Sequence, residues 1–521
     1  MNELVVHPEG EGEKGDHVPV SEPIAVDTFG GRIHVEWNPQ AAVTPLGQLP
    51  FFIEFLQVSG LYAPWVSQCP LVWVSPNAPR KTDVLGTVVL SVLSGHQRYA
   101  HISGLRGDGV NPALLGMSKG AAPRRRLEVS EDSVRRAFGK LDEEAGVTWL
   151  QEHLLRVYTP LLSEPWILDA DVTVKPLYGH QEGAEVGYNP HKPGRPSHTY
   201  HTYLIAGLRL ILDVEVQSGK KNASKHSSPG LWALLKRIPR EHWPALIRGD
   251  RDWGTEGNLQ RAEQEGLPYL FKLRMTAGTR RLVERLMRGR DWMNAGQGWQ
   301  AAEAELRLSG WSRERRAIVM RRRIKKDLAV VDQRHPEQIQ LGFAELCDEV
   351  AVYEYSVLVT SLDAEILAVA QLYRDRGDGE NPFDELKNHW GWGGFTTQDL
   401  KRCRFMSRIT ALVYNWWSLF VRLADPNQHT EAITSRPLML HAIGKQTRHA
   451  GQTRVTITST HAEAGKVMAA YRRIATFFQA LKATAEQLTA IQRWCRILSL
   501  ALVKYLRGRQ LQPPCWLPAP A

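Results

Sequence analysis

Trp166-Ile167-Leu168-Asp169-Ala170-Asp171-Val172-Thr173 begins apolar and turns acidic, which reads as a short strand ending at Asp171 and Thr173. A loop rich in Gly, Pro and His follows over 179–196, then two strand patterns, Tyr200 to Ala206 and Leu208 to Val216. Ser227-Ser228-Pro229 reads as the cap of a helix through Leu231, Leu234 and Leu235, with Pro where its missing donor costs nothing. Ala245 to Ile247 is another strand running into Gly249-Asp250. Asn258 to Glu265 is a short helix, and Tyr269 to Leu273 a further strand. Strand, two strands, helix, strand, helix, strand predicts an α/β core.

Outward from that core, residues 1–25 are rich in Gly, Glu and Pro and read as a flexible tail. Residues 26–162 are expected to be mainly helical. Phe51-Phe52-Ile53-Glu54-Phe55-Leu56 starts one amphipathic helix, Thr82 to Leu93 gives another, and Ser130 caps a third. With Arg124-Arg125-Arg126 nearby, this region suits a helix-turn-helix DNA reader or a helical cap whose charges are solvated. The core falls in two parts, 163–273 and 351–425, the second opening on the strand Tyr353 to Thr360. Asp250 and Glu380 are 130 positions apart, more than one strand and one helix need.

The excess, 274–350, reads as a β-rich insertion with alternating runs Ala302 to Leu308 and Ala317 to Ile324. It is basic: Arg280, Arg281, Arg285, Arg288 and Arg290, then Arg313, Arg315, Arg316, Arg321, Arg322, Arg323, Lys325 and Lys326. Alternate residues of a strand share a face, so these could track a phosphate backbone or merely solvate a sheet. Residues 426–521 are expected to be helical. There Val467, Tyr471, Ile474, Phe478, Leu481, Ala485 and Leu488 form a stripe that could dimerise or pack on its own chain.

With 521 residues the chain exceeds one core. A 43% hydrophobic and 23% charged composition is that of a globular protein, and the net charge of +10 favours a polyanionic partner, nucleic acid first. Cys69, Cys347, Cys403, Cys495 and Cys515 form no Cys-x-x-Cys pair, which argues against a zinc ribbon or disulfide framework. Without a signal-peptide pattern or an apolar run near the ~20 residues of a membrane span, a cytoplasmic, nucleoid-associated protein is expected, with no membrane partner.

Two carboxylates, Asp171 and Asp250, follow apolar strands that could lie side by side. Downstream, Tyr373, Arg376, Glu380 and Lys387 satisfy Y-x2-R-x3-E-x6-K. Phosphodiester cleavage needs an activated hydroxyl and a stabilised leaving oxygen, and two divalent ions about 3.5–4 Å apart serve both. Hard Mg2+ takes oxygen ligands and retains waters, so few carboxylates suffice. Gly377, Asp378, Gly379 and Pro382 interrupt the signature, so its helix is expected to kink, or Glu380 to start a new one.

This constellation resembles the DDE transposases of bacterial insertion sequences that carry the Tyr-Arg-Glu-Lys signature, insertion-sequence families 4 and 1380. The resemblance is best over Leu168 to Trp417. It implies an α/β RNase H-like catalytic core interrupted by a β-rich insertion, with mainly helical N- and C-terminal regions. Asp171, Asp250 and Glu380 would be the catalytic metal ligands, binding two Mg2+ ions for which Mn2+ substitutes. Tyr373, Arg376 and Lys387 would hold DNA phosphates, with Arg321, Arg322 and Arg323 as further DNA contacts. The implied reaction is cleavage at the ends of an element and attack of the freed 3′-OH on target DNA. The implied partners are double-stranded DNA with terminal inverted repeats, target DNA, and a second copy of the chain in a homodimeric synaptic complex. The family's Asp-x-Thr pattern selects Asp171 over Asp169, expected to be an acceptor behind the ligands. Asp250 is preferred over Asp252, expected to be a solvated turn residue, and Glu385 is the alternative to Glu380.

Rival readings remain. Asp169-Ala170-Asp171-Val172-Thr173 also matches the D-x-D-x-T nucleophile motif of haloacid dehalogenase-type phosphatases, although Trp253 and Gly254 stand where their later acidic motif wants Asp. A DNA-binding relic of a transposase that no longer cuts is the non-enzyme alternative. Of the 17 Trp residues, Trp253, Trp390, Trp392, Trp416 and Trp417 lie near the motifs. One or two could stack on bases, the rest being core. His180, His191, His198 and His201 lack zinc spacing and are read as loop or substrate-adjacent residues.

Overall fold

The computed structural model describes residues 23–36, 38, 41–118, 129–189, 192–221, 223–289, 291–324, 353–376, 380–514 and 516. The run Arg124-Arg125-Arg126, the segment 325–352 with Lys325 and Lys326, and His191, Arg290, Cys347 and Cys515 lie outside them.

The described residues start with a hairpin, β1 (Ile24–Thr28) and β2 (Gly31–Val35), and a short β3 (Val43–Thr44). Helices follow: α1 (Leu49–Ser59), α2 (Tyr62–Ser67), α3 (Lys81–Leu93), α4 (Asn111–Leu114), α5 (Glu131–Lys140) and α6 (Glu143–Tyr158). As expected, Ser130 caps α5, its side chain accepting from the Ser133 amide. Strands β4 (Ile167–Pro176), β5 (Glu185–Val186), β6 (Pro196–Ile205) and β7 (Leu210–Ser218) lead to α7 (Ser224–Leu235). Next come β8 (Leu246–Gly249), α8 (Glu256–Gln264), β9 (Tyr269–Lys272) and α9 (Ala277–Met287). Then follow β10 (Met293–Gly296), β11 (Trp299–Leu306), β12 (Arg315–Arg323) and β13 (Tyr353–Thr360). The remainder is α10 (Ile366–Arg374), α11 (Glu380–Asn388), α12 (Leu400–Ala424), α13 (Ala432–Met439), β14 (Ile443–His449), β15 (Gln452–Thr458), α14 (Ala464–Ala483) and α15 (Ala490–Ala501).

One ten-stranded sheet organises the molecule, in the order β10-β11-β12-β13-β9-β8-β4-β6, with β7 on the far side of β6 and β5 at its end. The three strands β4, β8 and β9 are parallel neighbours, and the other pairs are antiparallel. The strand order from the sequence is therefore recovered, with two corrections. β4 continues five residues past Asp171, because Val172 to Pro176 pair with His201 to Ser197 of β6. α7 begins at Ser224 and contains Pro229 in its interior. Ser224 fixes that start: its hydroxyl donates to the Asp252 carbonyl and accepts from Asn258 Nδ2 at 2.9 Å.

The described part of 274–350 is not a body apart from the sheet. β10 to β12 extend the sheet through β13 onto β9, and α9, unforeseen in the sequence, packs its Leu282 and Val283 into the main core. The apolar run Ala411 to Trp417 belongs to α12, which is buried nearly all round and lies against β7, α6 and α15. There Asn415 accepts from the Ile211 amide at 2.9 Å and donates to its carbonyl at 2.8 Å, satisfying backbone of β7.

The apolar stripe of α14 packs on its own chain. Tyr471 stacks on Phe51 of α1 with centroids 4.0 Å apart, and Phe478 is fully buried. α14 stops at Ala483, so the expected continuation through Leu488 is broken before α15. The C-terminal region also holds a hairpin, β14–β15, which pairs with β3. Its two-residue turn, Ala450-Gly451, has φ +49° and +76°, both positive as a type I′ turn demands.

Glu215 on β7 gives a pH test. Burial, then the neighbouring Asp213 charge, raise its pKa from 4.5 to about 7. Below about pH 4.5 the group is protonated in both folded and unfolded chains and costs nothing. Between 4.5 and 7 only the unfolded chain ionises, so stability falls as pH rises, by about 3 kcal/mol in all. Glu215→Gln removes that loss. The variant is expected to melt near wild type at pH 4.5 and above it at pH 8, as differential scanning fluorimetry across pH would show.

Candidate active site

The sheet register builds the site. β4 and β8 run parallel with Asp169 opposite Arg248 and Ala170 opposite Gly249. Asp171 and Asp250 therefore fall on the next rung, Asp250 just past the end of β8. Gly249 also lies opposite Phe271 of β9, so Lys272 continues that rung on the other side. Gly249 permits the turn, since a Cβ there would lie 2.5 Å from Trp253 Cγ. The two carboxylates stand side by side at one edge of three parallel strands, where open α/β sheets commonly bind ligands.

Their electrostatics are dominated by burial. Burial pushes the Asp171 carboxyl up to about 6, with Arg376 opposing and Asp250 adding to the rise. Burial likewise raises Asp250, again against Arg376. Arg376 Nη2 lies 2.9 Å from Asp171 Oδ2 and also points at the Ala170 carbonyl at 3.5 Å. The Val172 amide donates to Asp171 Oδ1 at 2.8 Å. Carboxylate oxygens are the donor chemistry of a hard divalent ion, and two buried carboxylates on one rung offer it.

The signature is split over two helices. Tyr373 lies in the last turn of α10, Arg376 just beyond it, Glu380 is the first residue of α11 and Lys387 lies in its last turn. Of the two expectations the new helix is the one found, and 377–379 lie outside the described residues, as does the Glu380 side chain. Lys387 is held down chiefly by burial, with the charges of Asp384 and Asp171 opposing. Tyr373 is largely buried against the Leu270, Ile318 and Leu358 cluster and bonds to Arg376. Among the described residues no group of three His, Cys, Asp or Glu side chains has the arrangement of a metal cluster.

Several alternatives are excluded by their partners. Asp169 accepts from Arg248 Nε and Nη2, both at 2.7 Å, and the pair is buried. It is the expected acceptor behind the site, and as a locked ion pair it is a poor phosphatase nucleophile. Glu385 cannot replace Glu380: it is 1% exposed and bonds His429 Nε2 at 2.7 Å, Trp390 Nε1 at 3.0 Å and the Ala432 amide at 2.8 Å. Asp252 pairs with Arg274 and is not merely solvated. Trp253, Trp390, Trp392, Trp416 and Trp417 are all buried core, and none is available for base stacking. His198 and His201 are buried against the carbonyls of Glu182 and Lys221, while His180 is exposed.

Lys272 was missed in the sequence. It is largely buried, which lowers its pKa, and its charged neighbours are Arg251, Arg376, Glu354 and Asp250. Only strand register reveals it, since Phe271-Lys272-Leu273 carries no motif.

Much of the basic stretch is spent internally. Arg315 is buried in ion pairs with Glu256 and Glu263, each at 2.7 Å, and Arg316 pairs with Glu303 at 2.8 Å. Arg321 donates to Gln300 and lies over the Trp292 ring at 3.9 Å and the Tyr353 ring at 4.6 Å. Arg322 pairs with Glu354 at 2.6 Å. Arg323, and Arg280, Arg281, Arg285 and Arg288 of α9 and its end, are exposed.

No helix among the described residues is long and apolar enough to cross a membrane. No curated protein matches the chain. Among solved structures, one titled as the piggyBac transposase synaptic complex with hairpin DNA is similar at 12% identity, covering 88% of this chain and 86% of that one, with a TM-score of 0.36. The family described as "Transposase DDE domain group 1" matches residues 79–479, a span that includes Asp171, Asp250 and the whole Tyr-Arg-Glu-Lys signature. The chain belongs to that family of DDE transposases.

Proposed function

We propose that the protein is an insertion-sequence transposase of the Tyr-Arg-Glu-Lys type, related to insertion-sequence families 4 and 1380. It would cleave element ends and join the freed 3′-OH to target DNA. The observation that carries this is the rung shared by Asp171 and Asp250, with Arg376 paired to Asp171. The order β7-β6-β4-β8-β9, with the first three antiparallel and the last three parallel, supports an RNase H-like core. Asp171, Asp250 and Glu380 would hold two Mg2+ ions, or Mn2+ in their place. Such ions supply positive charge at the attacking and leaving oxygens.

The chain's own groups do the rest. Arg376 keeps the two carboxylates together and ionised before DNA arrives, so it acts on the ligands first and on phosphate second. Lys387 and Lys272 flank the pair and would orient the scissile phosphate as point charges. Duplexes carrying the element's inverted-repeat ends should be nicked in Mg2+ and not in a chelator. Lys387→Ala, Lys272→Met and Arg376→Ala are each expected to lower strand transfer on the order of 10²-fold, because in-line attack tolerates little misplacement. Wild-type strand transfer in all three would sink the assignment, and ordinary surface charges would change stability by only ~0.5 kcal/mol.

DNA affinity should depend on the outer sheet less than its arginine count suggests. Every phosphate that a variant no longer neutralises lowers the log–log salt slope by ~0.9. Since Arg321 and Arg322 already have partners, Arg321→Ala/Arg322→Ala/Arg323→Ala is expected to flatten the slope by about one such increment. Arg323→Ala alone should account for most of it. Salt titrations of end-DNA binding decide this, and an unchanged slope would leave that strand's charge a solvation feature.

A further inference from the structure

A cavity of about 420 Å³ lies where the β6–β7 turn, the C-terminal end of α12 and the segment after α15 meet. Arg422, in the last turn of α12, lines it and is only 6% exposed. Its Nη2 donates to the Leu208 carbonyl at 3.0 Å, while its buried Nε has no partner among the described residues. Burial lowers its pKa; the Tyr414 phenol opposes that shift, and the nearby Arg209 guanidinium adds to it by less.

A buried guanidinium without a counter-charge is strongly penalised, and an anion bound beside it would remove that penalty. Three further features bear on which anion. Arg209 lines the same cavity from a left-handed residue in the β6–β7 turn, φ +57°, and is only partly engaged by Glu431 at 3.3 Å. Lys504, exposed at the rim, donates to the Asn427 carbonyl at 3.2 Å and keeps further donors for a ligand. Asp169 contributes no free charge, being paired with Arg248, which leaves Asp375 as the opposing carboxylate in the wall. Two forks and an ammonium around one space match a group with several equivalent oxygens.

We propose that this cavity is a phosphate site, adjoining the carboxylate rung through Asp169, Asp375 and Pro382. Its volume exceeds a lone phosphate and leaves room beside Tyr505 for the sugar or base of a nucleotide. The phosphate could belong to a DNA strand end or to a free phosphate compound. The inference does not depend on the transposase reading, since it rests on the unpaired Arg422 alone with its neighbours.

The test is calorimetric titration of the full chain with inorganic phosphate, and with 5′-phosphorylated against 5′-hydroxyl single-stranded oligonucleotides. Wild type should bind inorganic phosphate saturably. Arg422→Gln should weaken it about tenfold or more, as expected for loss of a buried charge-assisted contact. Lys504→Met, an exposed position that leaves the fold alone, should weaken it several-fold and carries the test if Arg422→Gln does not fold. A preference for the 5′-phosphorylated oligonucleotide that disappears in both variants assigns the site to a strand end. Equal binding of the two oligonucleotides, with phosphate binding still sensitive to Lys504→Met, assigns it to a free phosphate compound. Absence of saturable phosphate binding by wild type, or binding undiminished in Lys504→Met and Arg209→Gln, overturns the proposal.

Discussion

Asp171→Asn and Asp250→Asn are each expected to cut metal-dependent strand cleavage on the order of 10³-fold or more while leaving end-DNA affinity nearly unchanged. The two effects separate because they draw on different charges. On the proposed mechanism cleavage would need the carboxylate oxygens on one rung of β4 and β8, whereas affinity would come from exposed basic side chains such as those of α9 and Arg323. Stability should change little. Burial already penalises the Asp171 carboxylate, which it raises to about 6, so a neutral isostere relieves a cost while Arg376 keeps the charge of Asp250 as partner. Glu380→Gln is expected to behave in the same way. Nicking of an end duplex in Mg2+, fluorescence anisotropy on the same DNA, and a melting curve together test this. Cleavage by either Asn variant within tenfold of wild type would remove that residue from the site.

The parts of the fold that were legible are those in which one strand or helix face meets one environment. β4, β6, β7, β8 and β9 carry apolar runs bounded by turn residues, and the Ser130 cap of α5 is a local device that needs no tertiary information. The split of the signature was legible too, because Gly377, Gly379 and Pro382 oppose a continuous helix whatever surrounds them. What was not legible depends on partners distant in sequence. The arginines of β12 read as a free basic face, yet Arg315 is neutralised by Glu256 and Glu263 of α8 and Arg321 is stacked on Trp292 and Tyr353. Lys272 joins the site only through sheet register, and Glu385 leaves it only because His429 and the start of α13 claim its oxygens. The β14–β15 hairpin is a different failure. Thr453-Arg454-Val455-Thr456-Ile457-Thr458 is rich in β-branched residues, a local strand signal that the longer helical stripe of α14 follows directly.

Asp169→Ala is expected to destabilise the protein by about 3–5 kcal/mol, the largest effect on folding of any carboxylate near the site. Arg248 is 2% exposed, and both its contacts to Asp169 are 2.7 Å hydrogen bonds across neighbouring parallel strands. Truncating the acid leaves a full positive charge in the sheet without its counter-charge. The consequence reaches the chemistry, because Arg248 also donates through Nη1 to the Leu372 carbonyl at the end of α10. That contact sets where the chain leaves α10 and therefore where Arg376 meets Asp171. Asp169→Ala should lower the urea midpoint and strand cleavage together, whereas Asp171→Asn should lower cleavage alone. The double variant Asp169→Leu/Arg248→Met separates charge from position: removing both partners should recover most of the lost stability. If Asp169→Ala folds as well as wild type yet fails to cleave, then Asp169 belongs among the ligands and the choice of Asp171 over it is wrong.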